Sequence, residues 1–295
     1  MKPLIDLDDY ATFSHELSFD MAKHSTIGCG GRAVIAFCPQ SIAEAKVLLS
    51  KLDSDNIPYY VIGNMSNVLP PDMDTTTIPL IYMKNLNGIT IADRSFVYAG
   101  TTSGALLSMC RRCGKSGVEF LSGIPCTLGG ALYMNAGAGG RYIHEIVESV
   151  LVYHKGNARL IPCEECGFSY KHSIFMENGS VILGAYLRLL DATDVQISER
   201  ESYYKSRRAH LPKGKSMGCI FKNTKDKSAG DLIERSGLKG LRVGGAVVSV
   251  QHANFIINDG TATAKDIKAL ISVIKAAVFA QYGVQLEEEI RYIPS

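Results

Sequence analysis

Four short stretches of this 295-residue chain hold chemically useful side chains in apolar or glycine-rich surroundings. GNMSNVL sets Asn64, Ser66 and Asn67 directly after the apolar run YYVIG. A polar loop at a strand end can hold a ligand, and it can equally be an ordinary Asn/Ser turn. SYKHSIF presents Tyr170, Lys171, His172 and Ser173 ahead of an apolar segment, as a cationic site or as a solvated loop. SMGCIFKN places Cys219 between a glycine and two large apolar residues, where a thiol is either reactive or simply buried. LEEEIRYI offers three consecutive carboxylates. Strand alternation would set Glu287 and Glu289 on one face and Glu288 on the other, so one or two could enter a site, or the run is a solvated face.

The longest special stretch is GVEFLSGIPCTLGGALYMNAGAGG, residues 117–140, with seven glycines among small and apolar residues. A flexible linker would be rich in Ser and charge, so this run reads as buried backbone passing close to something. Its free N–H groups suit a phosphate or a flat heterocycle, and tight turns between core strands would explain the glycines as well.

Eight cysteines without a secretory leader indicate reduced thiols. Cys110/Cys113 and Cys163/Cys166 have C-x-x-C spacing, but CRRC falls late in a helix, CEEC opens another, and neither has the turn glycines of a zinc knuckle. No metal is expected. The hydrophobic content of 46%, charged content of 20% and net charge of +2 describe a globular protein without nucleic-acid or membrane attraction. No apolar run reaches the length of a membrane span. The acidic N-terminus lacks the apolar core of a signal peptide, so the expected compartment is the cytoplasm.

These candidates must be positioned by three units. After a short helical lead-in, AVIAFC reads as a strand, SIAEAKVLLSKLD as a Ser-capped helix and YYVIG as a strand, giving a small α/β unit over 1–77. A strand-rich α+β unit over 78–195 begins with IPLIYM and contains GITIA, SFVYAG, the helix SGALLSMCRRCGKSG, the glycine-rich run, the hairpin IVESVLVYHKG/ARLIP and the strand SVILGAYLRLL. VQISERESYYKSRRAH opens a third unit over 196–295 as a charged bridging helix. In that unit Thr263 and Asp266 cap a long helix whose apolar stripe is Ile267, Leu270, Ile271, Ile274 and Val278.

Taken together and in order, GNMSNVL, the 117–140 run, SYKHSIF, SMGCIFKN, AGDLIERSGLKG, GGAVVSVQHANFIIN and LEEEIRYI resemble the UDP-N-acetylenolpyruvoylglucosamine reductases (UDP-N-acetylmuramate dehydrogenases) in their shorter form. The resemblance covers almost the whole chain. It implies an α+β protein with a two-part, PCMH-type FAD-binding module and a C-terminal α+β substrate-binding domain. It also implies a reaction of peptidoglycan precursor synthesis: NADPH reduces the flavin, which then delivers a hydride to the enolpyruvyl double bond of the UDP-sugar. Adding a hydride to one vinyl carbon leaves negative charge on its neighbour and on the adjacent carboxylate, so the site needs a cation there and an acid.

By that resemblance Lys171 is the electrophilic cation, Cys219 the proton donor and Glu289 an acid beside the substrate carboxylate. The cofactor would lie on Gly63, Asn64, Ser66, Asn67, Gly123, Ile124, Pro125, Cys126, Thr127, Gly129, Gly130, Asn135 and Gly137. The UDP-sugar would meet Tyr170, Arg207, Lys222, Asn223 and His252, with Arg208 and Lys213 as further basic candidates. The chain departs from the family pattern at Lys171, where arginine is usual, and at Cys219, where serine is usual. Met65 and Cys126 stand where glycine is usual, and Gly28 where a basic residue is common. These departures leave a non-catalytic homologue that binds flavin or a nucleotide sugar as the alternative. The protein is expected to be a monomer or weak oligomer.

Overall fold

The computed structural model describes residues 5–73 and 77–294; residues 1–4 and 74–76 of the expected first unit, and 295 of the third, lie outside the described residues. Around the first core a four-stranded sheet runs in the order His15–Asp20, Arg32–Phe37, Leu80–Tyr82, Tyr60–Ile62. Its first pair is antiparallel and the others are parallel. Helix Ile42–Ser54 makes the crossover, opened by the Ser41 hydroxyl accepting from the Glu44 N–H, with Ala45, Leu48, Leu49 and Leu52 turned inward at helical spacing.

Two expectations need correction here. The lead-in is only partly helical: His15–Asp20 is a strand flanked by the short helices Asp8–Tyr10 and Met21–His24. Only Phe19 in that strand is buried, so no alternation marked it. The boundary at 77 also moves, because Leu80–Tyr82 pairs within the first sheet and not with the strands that follow it.

The second sheet is antiparallel throughout, in the order Asn157–Pro162, Val147–His154, Val181–Leu187, Ser95–Tyr98, Ile89–Thr90. Lys155 and Gly156 close its hairpin with φ of 44° and 84°, as a two-residue primed turn requires. The glycine-rich run packs on this sheet and is more structured than bare backbone. It contains the turn Glu119–Leu121 and the helix Leu128–Tyr133, capped by Thr127. Gly129 lets that helix approach the sheet: its N–H reaches Ala99 O at 2.8 Å, and a Cβ would stand 3.2 Å from the Ala99 Cβ.

Helix Asp194–Arg208 starts in a capping box of Thr193 and Gln196 and lies against Glu119–Leu121. It therefore belongs to the second unit, and the third begins after Arg208. The third unit has a three-stranded antiparallel sheet, Arg242–Val243, Ala246–Val248 and Ile256–Asn258, covered by helix Ala264–Tyr282. The expected capping pair and apolar stripe of that helix are both present.

Two ties thread the third unit onto the first. Its core takes in Ile27, Cys29 and Leu69, and Arg291–Tyr292 pairs in parallel with Val68–Leu69. At the first tie Asn258, 4% exposed, satisfies every arm of its carboxamide. It donates to Ile27 O at 2.8 Å and Gly28 O at 3.3 Å, and accepts from the N–H groups of Gly260 and Ala262 at 2.8 and 2.9 Å. Truncation would strand these groups. Asn258→Ala is expected to destabilise the fold by on the order of 2–3 kcal/mol in urea denaturation. A shift under about 0.5 kcal/mol, the scale of an ordinary surface substitution, would show that the carboxamide is not a tie.

Candidate functional site

Residues from all three units line one cavity of about 830 Å³, within the ~300–1,000 Å³ span of small-molecule sites. Of the residues expected at the cofactor, Gly63, Asn64, Ser66, Asn67, Gly123, Ile124, Pro125, Cys126, Thr127, Gly129, Gly130 and Gly137 line it. Asn135 does not. Its buried carboxamide donates to Ser169 O at 2.8 Å and lies 3.0 Å from His144 Nδ1, so it positions the segment that carries Lys171.

The wall suits an anionic, flat cofactor. Among the described residues no protein acceptor takes the successive N–H groups of Asn64, Met65 and Ser66, nor those of Gly123 and Thr127. Such unpaired main-chain donors beside a cavity make a cradle for phosphate oxygens. Asn64 Nδ2 donates to Pro125 O at 2.8 Å and so binds the two donor loops together. Gly63 brings them close, since a Cβ there would stand 2.3 Å from Thr127 Oγ1.

Met65 and Cys126 both line the cavity, with side chains that are largely buried. Met65 holds a φ of +47°, the conformation in which glycine is unstrained, at a cost of about 1–2 kcal/mol. Its side chain is 2% exposed and packs with Phe19, Ile62, Tyr82 and Ile293. Cys126 has no positive φ; its carbonyl accepts from the Ser103 N–H at 3.0 Å and its side chain joins the central core. At Gly28 a Cβ would meet Lys215 Cδ at 2.6 Å, so the Lys215 side chain occupies the space beside it.

Lys171, Cys219 and Glu289 converge on the cavity. Lys171 sits in a tight turn in which Ser169 and His172 exchange both backbone hydrogen bonds, at 3.1 and 3.2 Å. A left-handed φ of +55° directs its ammonium to Glu289 Oε1, 2.7 Å away. Burial works against that charge, yet the Glu289 carboxylate outweighs it and holds the ammonium above its usual range. The neighbours in the motif are spent on structure. His172 nitrogens lie 3.2 Å from Gly167 O and 2.8 Å from Glu177 Oε1, and Ser173 donates to Tyr133 O at 2.7 Å.

Glu289 is fixed by its backbone, with its N–H on Ile220 O at 2.8 Å and its carbonyl accepting from Asn67 Nδ2 at 3.0 Å. Of the three carboxylates only Glu289 lines the cavity: Glu288 turns away to Lys275 at 2.8 Å, and the exposed Glu287 meets Lys222 at 2.5 Å. Glu289 was expected to face a substrate carboxylate; here its partner is the Lys171 ammonium.

Cys219 is held from below by Asn254. Asn254 O accepts from the Ile220 N–H at 2.9 Å, and the Asn254 carboxamide bonds both backbone groups of Phe221 at 2.9 and 2.8 Å. Burial pushes the Cys219 thiol up to about 11, the Glu289 carboxylate adds to the rise, and Lys171 and Arg208 only partly oppose it. The group is thus a protonated thiol at neutral pH.

The residues expected at the UDP-sugar do not line the cavity. Tyr170 OH accepts from the Asn223 N–H at 3.2 Å, and Asn223 Oδ1 accepts from the Ala229 N–H at 3.0 Å. A Cβ at the adjacent Gly230 would stand 3.2 Å from His252 Cε1, so Tyr170, Asn223 and His252 form one polar cluster outside the cavity. Burial lowers the His252 pKa, which keeps its ring neutral. Arg207 is exposed and stacks over Tyr203, whereas Arg208, one residue on, turns inward to line the cavity against Gly123. Helical spacing gave no means of choosing between them. Arg291 also lines the cavity and was not singled out, because it sits in a run of acids. CRRC ends a helix and CEEC forms a single 3-10 turn, and among the described residues no group of three or more His, Cys, Asp or Glu could hold a metal.

Comparison with known proteins agrees with this geometry. A family model described as the FAD binding domain matches residues 33–163, and one described as the UDP-N-acetylenolpyruvoylglucosamine reductase C-terminal domain matches 209–293. The second begins at the boundary set by helix Asp194–Arg208. A Clostridioides difficile protein named UDP-N-acetylenolpyruvoylglucosamine reductase is 40% identical over 280 residues, covering 92% of this chain and 91% of the relative. A Chlamydia abortus protein of the same name is 37% identical over 290 residues, covering 96% and 95%. The crystal structure of the UDP-N-acetylenolpyruvylglucosamine reductase from Thermus caldophilus superposes with a TM-score of 0.82 at 34% identity, over 96% of this chain and 99% of that one.

The raised thiol has a direct test. Alkylation of Cys219 by iodoacetamide, mapped by mass spectrometry, is expected to lag the exposed Cys113 at neutral pH and to rise about tenfold per pH unit until about 11. A plateau near pH 8 would show an unshifted thiol.

Proposed function

The chain belongs to the UDP-N-acetylenolpyruvoylglucosamine reductase family, and from that premise we propose that Lys171, Cys219 and Glu289 carry the reduction of the enolpyruvyl UDP-sugar to UDP-N-acetylmuramate. The cofactor is FAD and the reductant NADPH; bound FAD supplies the hydride for the enolpyruvyl double bond. The observation that carries the assignment is convergence: groups far apart in sequence meet at one cavity, with Lys171 and Glu289 2.7 Å apart and the Cys219 thiol within their electrostatic reach.

Each group has a defined task. The Lys171 ammonium receives the substrate carboxylate and stabilises negative charge that grows there as the double bond is reduced. Lysine offers a point charge where arginine would offer a planar fork, so orientation must come from elsewhere. Glu289, the partner of that ammonium, holds it in place until the substrate carboxylate arrives. Cys219 Sγ holds the proton for the carbon that becomes electron-rich. The thiolate left behind is stabilised by Lys171 and Arg208, both of which act to lower its pKa. Asn67, through Glu289 O, keeps the acid in register with the cofactor loop.

Arg208 is the cation best placed for a substrate phosphate, and Tyr170, Lys222, Asn223 and His252 extend the polar surface beyond the cavity for the nucleotide. A water-soluble nucleotide sugar as substrate supports action in the cytoplasm. The alternative of a non-catalytic homologue finds no support, since all three reacting groups face the cavity and Met65 and Cys126 pack into the core.

Rapid mixing of NADPH-reduced enzyme with the enolpyruvyl UDP-sugar tests these roles. Cys219→Ala is expected to slow flavin reoxidation by about 10²–10⁴-fold, the range of a general acid, with Cys219→Ser losing far less. Equal rates in the wild type and the alanine variant would assign the proton to another group or to water. Lys171→Arg is expected to keep or improve the rate, and its complete loss would show a pocket reshaped around lysine.

A further inference from the structure

Arg291 is the cavity-lining cation that the reading above leaves without a task. It follows Glu289 by two residues, and both line the cavity. Its backbone N–H is fixed on Asn67 O at 2.9 Å, in the parallel pair with Val68. The guanidinium is poorly matched by protein. Among the described residues it has no carboxylate partner, its Nε is buried with no hydrogen-bond acceptor, and Nη2 reaches only the Met176 sulfur at 2.8 Å. A thioether is a weak acceptor, so a half-buried cation here is left with unused donors. Lys171, by contrast, is neutralised by Glu289.

Arg291 acts on the charge of Tyr60, also on the cavity wall. Burial pushes its phenol up to about 12, and Arg291 pulls in the opposite direction. The guanidinium therefore projects positive potential into the cavity. Arg291 lines the same cavity as Lys171, Cys219 and Glu289, so a flavin bound there would meet its charge.

We propose that Arg291 compensates the negative charge that the flavin ring gains on reduction, and so sets the cofactor's reduction potential. The inference rests on the reading that the cavity holds FAD. The charge balance is simple: NADPH transfers a hydride, two electrons with one hydrogen nucleus, to the neutral oxidised ring, leaving NADP⁺ and a reduced ring with one negative charge. No further reactant is needed. A cation with unused donors binds the anion better than the neutral form, and that difference is a potential shift.

The test is the midpoint potential of FAD-loaded Arg291→Met, measured by dye-linked reduction, beside the affinity for sulfite, which also forms an anionic flavin adduct. The expected result is a reduced-to-oxidised binding preference weakened about 10- to 100-fold, a fall of about 30–60 mV for a two-electron couple. Sulfite affinity should fall with it, and Arg291→Lys should restore part of both. Arg291→Gln, neutral but polar, keeps the test available if the methionine variant does not retain FAD. An unchanged potential in a variant that binds FAD would overturn the proposal and leave the reductase reading intact. Failure of the wild type to bind FAD would instead remove that reading itself.

Discussion

The ion pair between Lys171 and Glu289 is the contact on which the geometry of the cavity depends. It joins the second unit to the third at 2.7 Å, with side chains only 19% and 12% exposed. Charges so placed lose much of their hydration, and only a close, fixed partner offsets that cost. Both ends are fixed accordingly. Lys171 is held in a left-handed conformation by the Ser169–His172 turn, which Asn135 anchors from behind. Glu289 is held by Ile220 on one side and Asn67 on the other. The same few bonds therefore set Lys171, Glu289, the segment that carries the Cys219 thiol and the loop of Asn64 to Asn67 in one arrangement.

The departures from the family pattern fit this arrangement because each changes a side chain while leaving the backbone trace open to ligand. Met65 accepts strain in φ and gains burial in the first core, while still forming part of the cavity wall. Cys126 needs no unusual φ, and its carbonyl is occupied by the Ser103 N–H. Cys219 gives the site a stronger acid than serine, and burial then keeps that acid protonated. Lys171 retains charge at the cost of planar recognition, which leaves the guanidinium groups of Arg208 and Arg291 as the fork-shaped donors lining the cavity.

Much of this was legible from residue order. Helix Ala264–Tyr282 and its stripe and the 147–162 hairpin stand where periodicity and turn chemistry put them, and Lys171, Cys219 and Glu289, singled out by motif, line one cavity. What stayed hidden depends on contacts distant in sequence. The strand His15–Asp20 buries one residue and so carries no period. The assignment of Leu80–Tyr82 to the first sheet is a pairing with residues 36–37 and 60–62. Asn135 sat in a glycine-rich motif that suggested ligand contact, and only its bond to Ser169 shows a positioning role. Arg207 and Arg208 are adjacent basic residues whose difference is the direction of a helix face.

The most direct test of the account is the visible absorption of the purified protein through one anaerobic turnover. The flavin band should be present on isolation or after adding FAD, bleach with NADPH, and return when the enolpyruvyl UDP-sugar is added. A protein that stays colourless with FAD, or a bleached protein that the UDP-sugar does not recolour, would contradict it.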